Sequence, residues 1–129
     1  MKAELIIESN RKIALSSFNK ELDGSGCAKI ELISSQFTYS NEEFYFDDFD
    51  KFIAELDSMY TDLSGTAELR FHHESSYIKF EAKSLGHIEL TGEFLEYGEI
   101  HQNLSFGFTF DQSYLPSFID SLKSVMTEM

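Results

Sequence analysis

Four consecutive stretches between Ala67 and Phe110 alternate apolar and polar residues with period two. Ala67, Leu69 and Phe71 are followed by Ile78, Phe80 and Ala82, then by Ile88, Leu90 and Phe94, then by Leu104, Phe106, Phe108 and Phe110. The interleaved residues are polar: Glu68 and Arg70; Lys79 and Glu81; Glu89, Thr91 and Glu93; Ser105 and Thr109. Side chains alternate across a strand, so each stretch has one dry face and one wet face. Short connections at Glu74-Ser75-Ser76 and Ser84-Leu85-Gly86, and a longer one at 97–102, predict an up-and-down antiparallel meander covered on one side.

Two other stretches carry the helical period. Phe49, Phe52, Ile53, Leu56, Met59 and Tyr60 form one stripe, and Leu115, Phe118, Ile119, Leu122, Val125 and Met126 form another. Asp47 is the expected N-cap of the first helix, with Asp48 and Asp50 in its first turn and a stop before Ser64-Gly65. Asp111-Gln112-Ser113 opens the second, where Pro116 falls in the first turn. Upstream, Leu5–Ile7 and Ile13–Leu15 fit a hairpin or one broken edge strand. Ala28–Tyr39 reads as one longer strand, and Phe44–Phe46 as a short aromatic one. One-sided helices and a one-sided sheet bury each other. The predicted fold is α+β: a two-layer sandwich, mostly antiparallel meander, with two helices on one face, in a single domain spanning residues 1–129.

Composition narrows the function. The chain carries 23 acids against 10 Lys and Arg, a net charge of −13, with thirteen Phe and no Trp. From Glu42 to Asp62 there are eight carboxylates and one base, Lys51. Such a chain repels nucleic acid and anionic membranes and attracts basic partners. The N-terminus interrupts its apolar run with acids, unlike a signal peptide, and no stretch approaches the roughly 20 apolar residues of a membrane span. The expected location is the cytoplasm. The lone Cys27 is compatible with a reducing compartment and reads as a core residue at the start of a strand.

No catalytic signature stands out. The chain has no G-x-S-x-G turn, no phosphate-cradling loop and no HExxH spacing. His72 and His73 point to opposite faces of a strand, and His87 and His101 lie near strand starts. We therefore expect no catalytic residues, no metal site and no cofactor. The candidate partner-binding residues are Glu42, Glu43, Asp47, Asp48, Asp50, Glu55, Asp57 and Asp62, with Tyr39, Tyr45 and Tyr97 as aromatic anchors. The exposed sheet face, with Glu68, Arg70, Tyr77, Lys79, Glu81, Glu89, Thr91 and Glu93, reads as a cross-strand charge ladder.

Several segments taken together resemble the WapI-type family of small bacterial immunity proteins. They are Leu63-Ser-Gly65-Thr-Ala67-Glu-Leu69 after an amphipathic helix, Gly86-His-Ile-Glu-Leu90, and Leu104-Ser-Phe-Gly-Phe-Thr-Phe-Asp111-Gln112-Ser-Tyr-Leu115 followed by Phe118. The resemblance runs from about Asp23 to Leu122. It leads one to expect an aromatic-rich N-terminal hairpin with Trp, and this chain has no Trp. It implies a non-enzymatic protein that binds a cognate toxin domain, basic and nuclease-like, and blocks it by occlusion. The alternative is a small ligand-binding or regulatory domain that uses the open sheet face or a pocket between sheet and helices.

Overall fold

A computed structural model describes residues 2–23, 25–71 and 75–128. It is an α+β sandwich in which four strands and a helix are followed by four more strands and a second helix. The first sheet contains β1 (Lys2–Glu8), β2 (Arg11–Lys20), β3 (Gly26–Ser34) and β4 (Phe37–Phe46), paired in that order. Helix α1 (Phe49–Asp62) leads to β5 (Thr66–Arg70), β6 (Tyr77–Ala82), β7 (His87–Tyr97) and β8 (His101–Asp111), again paired in order. Helix α2 (Leu115–Glu128) ends the chain. Every strand pair is antiparallel. The order of elements repeats, although the sequence contains no internal repeat.

The apolar stripes explain the packing. Phe49, Phe52, Ile53, Leu56 and Met59 are the buried residues of α1, and Leu115, Phe118, Ile119, Leu122 and Val125 those of α2. Phe52 of α1 and Phe118 of α2 both lie 6.0 Å, ring to ring, from Phe80 on β6. Both helices thus sit on the phenylalanine-bearing face of the β5–β8 meander. Helix α1 also packs against β5, and α2 against β1. An isolated bridge from Phe46 to Phe71 ties the end of β4 to the second sheet. One continuous core results, with contributions from both sheets and both helices.

Several local boundaries differ from the sequence reading. Ala28–Tyr39 is two strands, because Ser35 takes a left-handed φ of 59° and turns the chain; its amide donates to the Asn10 carbonyl at 2.8 Å. Phe44–Phe46 is the end of the long β4. The loop at 97–102 shrinks to residues 98–100, because β7 and β8 extend to Tyr97 and His101. The N-cap of α1 is Asp48 instead of Asp47: its backbone is extended, and its carboxylate accepts the Lys51 amide at 3.0 Å. Helix α1 ends with Leu63 in the left-handed region. Asp111 caps a 3₁₀ turn that feeds α2 by accepting from the Ser113 amide. On the exposed sheet face Glu68 with Arg70 and Glu81 with Lys83 pair along the strand direction; across strands the Arg70 guanidinium lies 5.2 Å from the Tyr77 ring centre, and Lys83 comes within 3.9 Å of Glu89.

A Cβ at Gly92 would stand 2.5 Å from the Phe106 ring and 2.6 Å from the Tyr77 carbonyl oxygen, so one strand must shift to admit it. Gly92→Ala should destabilise the chain by about 1–3 kcal/mol in urea melts, the usual range for overpacking. Hydrogen bonds from the Ser113 hydroxyl and amide lower the Asp111 carboxyl below its ordinary value of 3.8. A depressed carboxyl stabilises the fold above its unfolded value and loses that contribution as pH falls through the folded one. Melts of Asp111→Asn should show a deficit at neutral pH that closes in strong acid; a deficit independent of pH would contradict this role for the charge.

Candidate partner-binding surface

The eight candidate carboxylates fall into two groups. Six lie on or beside α1, where most of them serve the fold. Asp48 caps the helix, and Asp62 accepts from the Ser58 hydroxyl at 3.4 Å. Asp50 meets the Lys20 ammonium of β2 at 2.7 Å, and Asp57 meets Lys123 of α2 at 3.0 Å. Glu55 accepts from the Glu68 amide on β5 at 3.4 Å. Asp47 is exposed just ahead of the helix. These acids fasten α1 to three neighbouring elements and leave about half of the Asp50 and Asp57 side chains in solvent.

Glu42 and Glu43 belong to a different place. Ala28 on β3 pairs with Phe44, but Ile30 pairs with Asn41, so both glutamates stand opposite the single residue Lys29. This is a β-bulge, which bends the strand and redirects its side chains. The Asn41 side-chain oxygen accepts the Glu43 amide at 3.0 Å and holds the bulge, while its Nδ2 donates to the Tyr39 hydroxyl at 3.2 Å. Lys29 reaches Glu42 at 3.4 Å. Glu43 accepts from the Tyr45 hydroxyl at 3.0 Å, and this hydrogen bond and the adjoining charge push the Tyr45 phenol above its ordinary range.

The bulge forms one wall of an open groove of about 600 Å³ between β4 and the end of β7. Tyr39, Glu42 and Glu43 of β4, Glu96 and Tyr97 of β7, and Phe71 line it. Ser76 and Leu95 also line the groove; Ser76 is buried, and its hydroxyl accepts the Leu95 amide at 2.9 Å. Tyr39 is half-buried and stacks on Phe94 at 4.0 Å, and Phe94 stacks on Phe106 at 5.5 Å. Tyr45 and Tyr97 are 42% and 54% exposed, so aromatic surface is available beside the carboxylates. Carboxylates next to phenol rings suit a lysine or arginine side chain, through ion pairing and contact with the ring faces.

The structure therefore brings Glu42 and Glu43 together with Tyr39 and Tyr97, and leaves the α1 acids outside this groove. Sequence reasoning missed Glu96 as a neighbour and missed the bulge itself. A signal for the bulge exists: the inward positions shift parity from Tyr39 and Asn41 to Phe44 and Phe46, which one inserted residue requires.

The remaining candidates add little chemistry. Cys27 is half-buried at the start of β3, and burial, with Glu43 and Glu21 nearby, pushes its thiol up, away from the reactive thiolate. His87 and His101 are exposed, and His101 packs edge-on against Tyr97. His72 and His73 lie outside the described residues. Among the described residues no group of three or more His, Cys, Asp or Glu is placed to hold a metal ion. No helix among them is long and apolar enough to cross a membrane.

Compared with known proteins, the chain matches no curated protein and no solved structure. One family model, the Immunity protein WapI-like family, matches residues 16–129. That span takes in β3 and β4 with the bulge, both helices and the whole second sheet. The chain belongs to the WapI-like immunity protein family, and its role is that of an immunity protein whose partner is a cognate toxin.

Proposed function

We propose that this protein neutralises a basic, nuclease-like toxin domain in the cytoplasm by covering its substrate-binding surface, with no chemistry of its own. The observation that carries this reading is the groove, where Glu42, Glu43 and Glu96 surround tyrosine faces in a chain of net charge −13. A nuclease must present cations to a polyanionic substrate. A carboxylate-lined surface competes for those same cations, and steering by the whole acidic chain speeds the encounter. In this reading Glu42 and Glu43 touch the toxin, with Tyr39, Tyr45 and Tyr97 as anchors. Asp47, Asp48, Asp50, Glu55, Asp57 and Asp62 act chiefly through their field. The small-ligand alternative calls for a concave, mostly apolar pocket, whereas this groove is open and ringed by carboxylates.

The two groups of acids are separable by kinetics against the cognate toxin domain. Glu42→Lys with Glu43→Lys should slow association and also speed dissociation, weakening binding by about a hundredfold or more, as expected when charges at a contact are reversed. Asp50→Asn with Asp57→Asn should lower only the association rate, by a factor that vanishes as salt is raised. Unchanged binding by the Glu42/Glu43 variant would remove the groove from the interface. A changed dissociation rate in the Asp50/Asp57 variant would place α1 in the contact.

A further inference from the structure

Strand β8 ends the second sheet, and among the described residues no strand pairs with its outer side. The other edges are packed against or interrupted: α2 packs on β1, Glu55 of α1 takes an outward amide of β5, and β4 carries the bulge at Glu42 and Glu43 and ends in the bridge to Phe71. Natural proteins guard a free edge with charges, proline, a bulge or brevity. From His101 to Phe110 this edge has none of these among its own residues, and charge appears only at its end, in Asp111 and in Arg11 of β2. It is eleven residues long, pairs with β7 without a register shift, and from His101 to Phe110 contains no Lys, Arg, Asp, Glu or Pro. In a chain with 33 charged residues among 129, so long a neutral edge stands apart.

Its backbone geometry is defined. The Lys83 amide donates to the His87 carbonyl, so the odd-numbered residues of β7 turn their backbone groups toward β6 and the even-numbered ones toward β8. On β8 the even-numbered residues pair back to β7, and Asn103, Ser105, Gly107 and Thr109 present N–H and C=O groups outward. One of these outward groups already attracts a donor: the Arg11 guanidinium reaches the Thr109 carbonyl oxygen at 2.5 Å. On the inner face of this edge Leu104, Phe106 and Phe108 are only half-buried, although they pack against the core. On the outer face Ser105 and Thr109 stand beside Glu93 and Glu89 of β7.

We propose that β8 is a strand-addition site, and that its occupant is an extended segment of the toxin in which apolar residues alternate with lysine or arginine. The toxin as occupant rests on the function proposed above; the edge itself does not. An added strand opposite Ser105 and Gly107 directs alternate side chains inward, where they complete the cover over Leu104, Phe106 and Phe108. The other set lies on the outer face, about 10 Å from the β7 row at the usual strand spacing. A lysine or arginine stem spans that gap to Glu89 or Glu93. A second copy of this chain is disfavoured as occupant, since edge-to-edge pairing would bring one charge of −13 against another.

The test uses an end-blocked eight-residue peptide alternating valine and lysine, its valine–glutamate counterpart, and the cognate toxin domain. Amide hydrogen exchange on the wild-type protein is the readout. The valine–lysine peptide should protect the amides of Asn103, Ser105 and Gly107 at least tenfold, and the valine–glutamate peptide should bind at least tenfold more weakly. Ser105→Pro removes an outward N–H without breaking a bond to β7, and should abolish the protection while the fold keeps its melting behaviour. The inference is overturned if the valine–lysine peptide leaves β8 exchanging freely, if it binds Ser105→Pro equally well, or if sedimentation shows the free protein dimerised through this edge. A toxin that binds while β8 stays unprotected also overturns it and leaves the immunity reading standing. A peptide that protects β8 beside a toxin that does not bind supports the edge site and removes the toxin reading.

Discussion

The fold depends on a run of aromatic rings that joins its two halves. Phe46 of β4 lies 5.0 Å from Phe49, Phe49 lies 6.2 Å from Phe52, and Phe52 lies 6.0 Å from Phe80 of β6. Phe80 in turn meets Phe110 and Phe118. A second branch runs from Phe44 to Phe94, and Phe94 is stacked between Tyr39 and Phe106. Each half has the same order of elements, but neither sheet has a private core; the rings make one core from both. Tilted and edge-on ring pairs add about 0.5–1.5 kcal/mol each beyond the area they bury. That contribution offsets part of the self-repulsion carried by a chain of net charge −13.

The groove is a consequence of this joint. Where Tyr39 stacks on Phe94, β4 comes against the end of β7, and the bulge at Glu42 and Glu43 bends β4 there. The same rings that close the core at Phe94 leave Tyr39 half-open at the surface. Core packing and the candidate docking surface therefore share residues, and the buried Ser76 ties the groove lining to β7 through the Leu95 amide.

The period-two runs from Ala67 to Phe110 and the two helical stripes were legible because each element buries one face, and one-sided burial writes its period into the sequence. The turn at Ser35-Gln36 was not legible, since neither residue is the Gly or Asn that normally marks a left-handed position. The choice between Asp47 and Asp48 as cap depends on backbone angles that adjacent aspartates do not reveal. The division of the strands into two sheets is set by contacts between residues far apart in the chain, which local pattern does not encode. At the candidate site, clustering along the chain favoured the acids of α1. The structure commits Asp48, Asp50, Glu55, Asp57 and Asp62 to capping and fastening the helix, and sets Glu42 and Glu43 apart in the groove.

The central claim is neutralisation by occupancy, and titration of the toxin domain's own activity against this protein tests it most directly. The account predicts activity falling in proportion to added protein and reaching zero at one copy per toxin, with recovery as salt is raised. Full loss at far fewer copies than toxin would mean catalytic inactivation. A toxin that stays active with the protein in excess would contradict the account outright.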